Sequence, residues 1–119
     1  RGYQGDDPEI AFKLGKLYKE SRRYKDSIAQ YEKGMKLGEA PAEAHYVLGW
    51  LYYNEGLLME SVGQYKKAAQ LNPGFAEAHY WLGKVYDKLS KKDEALSEWK
   101  ESLRINPNHQ YARYLRAKL

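Results

Sequence analysis

Residues 42–75 read AEAHYVLGWLYYNEGLLMESVGQYKKAAQLNPGF, and the same pattern stands on both sides of them. Leu14, Leu48 and Leu82 recur at an interval of 34 residues, as do Gly15, Gly49 and Gly83, and Tyr18, Tyr52 and Tyr86. Three copies therefore lie end to end without insertion or deletion, over residues 8–41, 42–75 and 76–109. The chain is a tandem array of short units.

Each copy carries two apolar runs at helical spacing with a turn between them. In the first copy Ile10, Leu14, Leu17 and Tyr18 precede Arg22 and Arg23, and Tyr24, Ile28, Tyr31, Met35 and Leu37 follow, up to Gly38. In the second, one helix runs to about Asn54, Glu55 and Gly56 turn the chain, and another helix ends before Asn72, Pro73 and Gly74. In the third, Ala78, Leu82, Val85, Tyr86 and Leu89 lead to a turn near Ser90, a candidate N-cap for a helix bearing Ala95, Leu96, Trp99, Leu103 and Ile105. Asp7 and Pro8 suit the cap and first position of the opening helix. Residues 1–7 are expected to be a leader of low order. Ala112, Leu115 and Leu119 predict a seventh helix over residues 110–119 that covers the last hairpin.

At 119 residues the chain is about one domain long. The longest apolar run, Val47–Tyr53, falls short of the roughly 18 residues of a membrane helix. There is no cysteine, which excludes disulfides, thiolate metal sites and cysteine nucleophiles. Net charge is +4, and the positive excess sits in the first copy and in residues 110–119, while the middle is nearly neutral. The start at Arg1 rather than methionine suggests an excised or processed segment, and localisation stays open.

A leucine-glycine pair, a tyrosine one turn later, a small residue, an aromatic and a closing proline at this period resemble the tetratricopeptide repeat. The residues that carry the likeness are His45, Leu48, Gly49, Tyr52, Ser61, Tyr65, Ala68 and Pro73, and then His79, Leu82, Gly83, Tyr86, Ala95, Trp99, Ser102 and Pro107. The first copy departs most, with Ala11, Gly34 and Glu39 at signature positions. The resemblance implies an all-α fold, a right-handed superhelix of antiparallel helix pairs with about seven helices, and a non-enzymatic role in protein–protein interaction.

Glycine inside a helix is unfavourable by about 1 kcal/mol relative to alanine, so Gly15, Gly49 and Gly83 need an offsetting reason. A missing side chain that lets the two helices of a hairpin approach closely supplies one. His45 and His79 stand where the resemblance puts an aromatic, with no HExxH spacing, and His109 is expected to be solvated. No phosphate-binding loop, dinucleotide fingerprint or nucleophile elbow occurs, so no catalytic residue, metal ligand or cofactor site is read from the sequence.

The first helices carry a second stripe. Glu43, Tyr46, Trp50 and Tyr53 share one face of the middle copy, with Asn54 beside it, apart from the signature stripe. The equivalent positions are Glu9, Phe12, Lys16, Lys19 and Glu20 in the first copy, and Glu77, Tyr80, Lys84, Asp87 and Lys88 in the third, with Trp81 next to Tyr80. In proteins that this chain resembles the first helices line a concave groove. The likeness thus implies a partner-binding groove of Phe12, Lys16, Lys19, Tyr46, Trp50, Tyr53, Asn54, Tyr80, Trp81, Lys84 and Lys88, suited to a peptide or helix, with the lysines favouring acidic residues. The alternative is that these aromatics pack only against the adjoining repeat. The family's carboxylate clamp for chaperone tails is not expected, because its positions hold Phe12, Lys16, Val47, Glu77 and Trp81, of which Lys16 alone suits it.

Two further readings stay open. Basic residues interleaved with tyrosines, Lys16, Lys19, Arg22, Arg23 and Lys25 with Tyr18 and Tyr24, and Arg113, Arg116 and Lys118 with Tyr111 and Tyr114, are compatible with nucleic-acid binding at a pI of about 9.1. Repeat arrays also expose apolar ends, through which molecules self-associate.

Overall fold

In a computed structural model, which describes residues 7–119, the helical spacing resolves into α1 (Pro8–Glu20), α2 (Tyr24–Leu37), α3 (Ala42–Asn54), α4 (Leu58–Leu71), α5 (Ala76–Lys88), α6 (Lys92–Ile105) and α7 (Ala112–Lys118). The fold is an all-α repeat solenoid, elongated to 53 × 25 × 21 Å, with no strand among the described residues. The expected leader over residues 1–7 lies outside those residues except for Asp7. That aspartate takes the N-cap of α1, its Oδ1 accepting the Glu9 N–H at 2.9 Å, with Pro8 behind it.

α1 packs on α2, α3 on α4 and α5 on α6 as antiparallel hairpins. Each hairpin turns through one left-handed residue at the same repeat position: Arg22 at φ 64°, Gly56 at φ 80° and Ser90 at φ 62°. Glycine takes this conformation freely, whereas the side chains at the other two resist it. Ser90 is therefore spent on the turn and is not the N-cap of α6, which starts two residues later with Lys91 in the cap position and no side-chain capping bond.

The helical glycines are explained by the rings opposite them. A Cβ at Gly15 would lie 2.6 Å from the Tyr31 ring, one at Gly49 3.0 Å from Tyr65, and one at Gly83 2.3 Å from Trp99. Each aromatic of a second helix lies on the bare backbone of the first. Side-chain donors tie the same elements together: Ser27 Oγ donates to the Gly15 carbonyl at 2.6 Å, Ser61 Oγ to that of Gly49 at 2.8 Å. In the third hairpin, where Ala95 has no hydroxyl, Trp99 Nε1 donates to the Tyr80 carbonyl at 3.1 Å.

The junctions between hairpins differ. Asn72 and Asn106 close their units with side-chain turns, accepting the Gly74 N–H at 3.2 Å and the Asn108 N–H at 3.0 Å. Gly38 holds the equivalent place after α2 and has no side chain to do this. The α2–α3 contact is correspondingly thinner than that between α4 and α5. Tyr31, Leu48, Leu51 and Tyr52 form the core around the first junction, and Tyr65, Leu82, Val85, Trp99 and Leu115 that around the second and the C-terminal end.

α7 begins at Ala112 rather than Gln110, because residues 107–111 are turns organised around His109. That histidine is 6% exposed, which corrects the expectation that it is solvated. Its Nε2 bonds Ser102 Oγ at 2.7 Å, and its Nδ1 accepts the Tyr111 N–H at 3.1 Å. Since Nδ1 must be bare to accept, Nε2 carries the proton and donates to Ser102, whose own hydroxyl donates to the Ala76 carbonyl at 2.7 Å. Ala112 and Leu115 are buried by this docking, while Leu119 stays exposed.

Candidate functional site

The second stripe of the first helices remains only partly covered along most of its length. Trp50 meets the Tyr24 ring edge-on at 5.6 Å between centroids and carries Lys19 Nζ at 4.7 Å above its face. Tyr53, one turn further, meets Trp81 edge-on at 5.5 Å. Trp81 in turn stacks on Tyr65 at 6.5 Å. Each ring thus makes a contact with a neighbouring repeat, as the packing alternative expects. Yet Trp50, Tyr53 and Trp81 all remain only partly buried, so each also presents part of its ring to solvent on α3 or α5.

Placement of the other expected groove residues varies with their neighbours. Phe12 leans away from the surface onto α2, stacking on Tyr31 at 5.8 Å and filling the place of a side chain at Gly34. Tyr46 is held between Tyr65 at 5.7 Å and Phe75 at 4.7 Å. Asn54 is exposed, but its Nδ2 donates to the Trp50 carbonyl at 2.9 Å, so its amide closes the end of α3. Lys16 and Lys88 are exposed. Lys84 sits 5.4 Å from the Trp81 ring and 5.9 Å from that of Tyr80. Attraction between an ammonium and a ring face holds both Lys19 and Lys84 over the aromatic row.

Tyr80, expected in the open groove, is 4% exposed. Tyr111 lies flat against it and Tyr114 meets it edge-on at 6.2 Å. The C-terminal segment therefore closes this end of the stripe. Of the two tyrosines that the sequence places in a basic patch, Tyr111 turns inward onto Tyr80, whereas Tyr114 touches that ring by its edge and stays 45% exposed. Phe75 was missed because it lies outside both helices of its unit.

Burial governs the electrostatics of these phenols. It pushes Tyr80 up to about 12, with Tyr114, Tyr111 and Tyr53 adding to the effect. Tyr31 is pushed up to about 12 by burial and then by the charges of Glu43 and Glu20. Tyr46 and Tyr65 are raised further, again by burial first. All are neutral hydroxyls at physiological pH, with neither the ionisation nor the partners of a general base. Among the described residues no group of three or more histidine, aspartate or glutamate side chains is placed to hold a metal ion. No helix there is long and apolar enough to cross a membrane.

At the N-terminal end, an open cleft of about 460 Å³ lies between α1 and α3, with Phe12 and Tyr31 in its floor and Lys16 and Glu43 on its walls. The face as a whole is therefore a partly exposed aromatic row, capped by the C-terminal segment at one end and, among the described residues, open at the other.

Family models described as "TPR repeat" and "Tetratricopeptide repeat" match residues 51–90, and residues 76–109 and 8–39, respectively. Among solved structures, the crystal structure of MamA is similar with a TM-score of 0.86 and 27% identity, over 97% of this chain and 70% of that one. The first TPR of Spaghetti (RPAP3), bound to the HSP90 peptide SRMEEVD, has a TM-score of 0.83 and 21% identity, over 96% and 91%. PcrH in complex with the chaperone-binding region of PopB has a TM-score of 0.80 and 18% identity, over 99% and 95%. No curated protein matches the sequence.

Proposed function

We propose, from the premise that this chain belongs to the tetratricopeptide repeat family, that it is a non-enzymatic interaction module holding a peptide or helix of a partner protein along its concave face. The observation that carries this reading is the partly exposed row of Trp50, Tyr53 and Trp81 with Lys19 and Lys84 over its rings. Large apolar rings left partly in water and rimmed by charge are the composition of a binding patch. The same fold holds a peptide in the Spaghetti domain and a segment of PopB in PcrH. The ligand here differs from a chaperone tail, because Phe12, Val47, Glu77 and Trp81 stand at clamp positions. Lys88, with no ring contact among the described residues, favours an acidic residue in the part of the ligand that passes it.

The test is a partner identified by capture on the wild-type chain and re-measured with purified components. Trp50→Ala should weaken its binding by more than about 1 kcal/mol while leaving the helical content unchanged. Equal affinity for both chains removes Trp50, and with it the groove, from the binding surface.

A second reading concerns self-association. Leu14 and Leu17 are 40% and 59% exposed on the outer side of α1, and they occupy the repeat positions that face a preceding hairpin in the other two units. This apolar end is the surface through which a second copy or another helical hairpin would stack.

A further inference from the structure

The groove reading above is the basis of a sharper assignment for its N-terminal end. We propose that the cleft between α1 and α3 is a subsite for one aromatic side chain of a partner peptide, with a lysine or arginine next to that side chain lying against Glu9, Glu39 and Glu43.

The molecule itself shows what fits. Phe12, Tyr46 and Tyr80 are equivalent, and the space beside each can be compared. Beside Tyr46 stands Phe75, 4.7 Å away with the planes 31° apart. Beside Tyr80 stands Tyr111, at 4.0 Å and 6°. Both rings come from the C-terminal side of the unit concerned. In the first unit the corresponding positions are Pro41 and Glu43, and Val47 replaces Trp81, so none of these positions supplies a ring. Phe12 also sinks deeper than its counterparts, since a Cβ at Gly34 would lie 2.4 Å from its ring, whereas Ala68 and Ser102 hold that place in the other units. The thin α2–α3 junction adds to the opening. The result is a cleft of about 460 Å³ floored by Phe12 and Tyr31, of the size that takes a ring and its flanking backbone.

The charges choose the neighbour of that ring. Glu9, Glu39 and Glu43 line the cleft, and none belongs to an ion pair among the described residues. Glu43 is close enough to act on the Tyr31 hydroxyl at the floor. Lys13 and Lys16 line the α1 wall, so the cleft carries three carboxylates against two ammonium groups. A cation on the ligand is therefore favoured over an anion, with Glu43 on α3, Glu39 before it and Glu9 on α1 around it.

Blocked dipeptides test this on the full, isotope-labelled chain by NMR titration. N-acetyl-Phe-Lys-amide should move the amide signals of Phe12, Lys16 and Ala44. The Ala-Lys counterpart should bind about tenfold more weakly, for loss of the ring, and the Phe-Glu counterpart about threefold more weakly. Pro41→Phe puts the chain's own ring where Phe75 stands in the next unit and should abolish the response. Gly34→Ala, which lifts Phe12 into the cleft, is the second variant, and thermal melts establish that each folds. Signals that move only at Trp50 and Tyr53, or not at all, overturn the subsite, as does an unaltered response in both folded variants or a preference for Phe-Glu. Cleft signals that shift on dilution without probe assign the place to a second copy instead, which also overturns it. A captured partner sensitive to Trp50→Ala but not to Pro41→Phe leaves the groove and removes this subsite. One indifferent to both removes the groove.

Discussion

Tyr111 lies flat on Tyr80, with ring centroids 4.0 Å apart and planes within 6°. The relationship fixes where the exposed stripe ends, because the pair converts what would be the third unit's groove position into core. The stacking also anchors α7, whose few turns could not hold a helix on propensity alone. Tyr111→Ala should therefore cost about 2 kcal/mol in urea unfolding, from lost apolar area and ring stacking. Tyr111→Phe keeps the ring and should stay within about 0.5 kcal/mol of wild type. Hydrogen exchange at Leu115 should speed up in the first variant and not in the second.

His109 makes this docking pH-dependent. Burial lowers its pKa, with Arg116 acting in the same direction and Glu77 against it. A histidine depressed in the folded state binds protons more readily when unfolded, so stability rises with pH through that interval. The contribution is complete above the ordinary histidine range near 6.5 and is lost progressively as pH falls below it. Protonation also places a proton on Nδ1, which faces the Tyr111 N–H. Urea midpoints from pH 5 to 8 should fall on the acid side in wild type and less steeply in His109→Gln. Identical slopes would show that His109 does not carry the effect.

Two helical glycines should respond with opposite sign. Gly49 lies 3.0 Å, at the position of an added Cβ, from the Tyr65 ring, whereas nothing stands within 4 Å of the same position at Gly63. Gly63→Ala, exposed in α4, should stabilise by up to about 1 kcal/mol through helix propensity. Gly49→Leu should destabilise by about 1 to 3 kcal/mol through overpacking. Thermal melts of the two variants check both signs in one experiment.

The Tyr65 hydroxyl is buried without a hydrogen-bond partner among the described residues. A buried donor left unmade is unfavourable by about 1 to 3 kcal/mol, and removing it leaves the ring contacts intact. Tyr65→Phe should raise the melting temperature by a few degrees. A lower one would mean that the hydroxyl has a bonding partner in solution.

The periodic residues made the architecture legible, because Gly15, Gly49 and Gly83 each meet the second-helix ring of their own hairpin and recur with it. The end effects were less legible. His109 reads as a loop residue, and its burial depends on Ser102 and Tyr111 meeting it from two sides. Tyr80 reads as equivalent to Tyr46, yet Tyr111 covers it from a segment with no repeat partner. Ser90 reads as a cap until the turn's demand for a left-handed residue is seen. Gly34 read as a departure from the pattern, and only the position of Phe12 explains it. Repetition announces itself in sequence, whereas the filling of a particular gap depends on three-dimensional contacts that occur once.

The N-terminal end shows the same dependence of burial on neighbours. Leu17 and Leu51 occupy one repeat position, and the first is 59% exposed while the second is 0% exposed. Leu51 packs with Tyr31 and the α2 residues Tyr24 and Ile28, whereas no hairpin precedes α1 among the described residues. A lysine at the two sites should have unequal effects. Leu51→Lys buries a charge with no partner and should unfold the chain or weaken it by several kcal/mol. Leu17→Lys, on an open surface, should change the stability of the monomer by no more than about 0.5 kcal/mol. Sedimentation then separates packing from assembly: if copies stack through this end, Leu17→Lys should lower the sedimentation coefficient at high concentration without lowering the melting temperature at high dilution. An unchanged coefficient in a wild type that does associate would move the contact elsewhere.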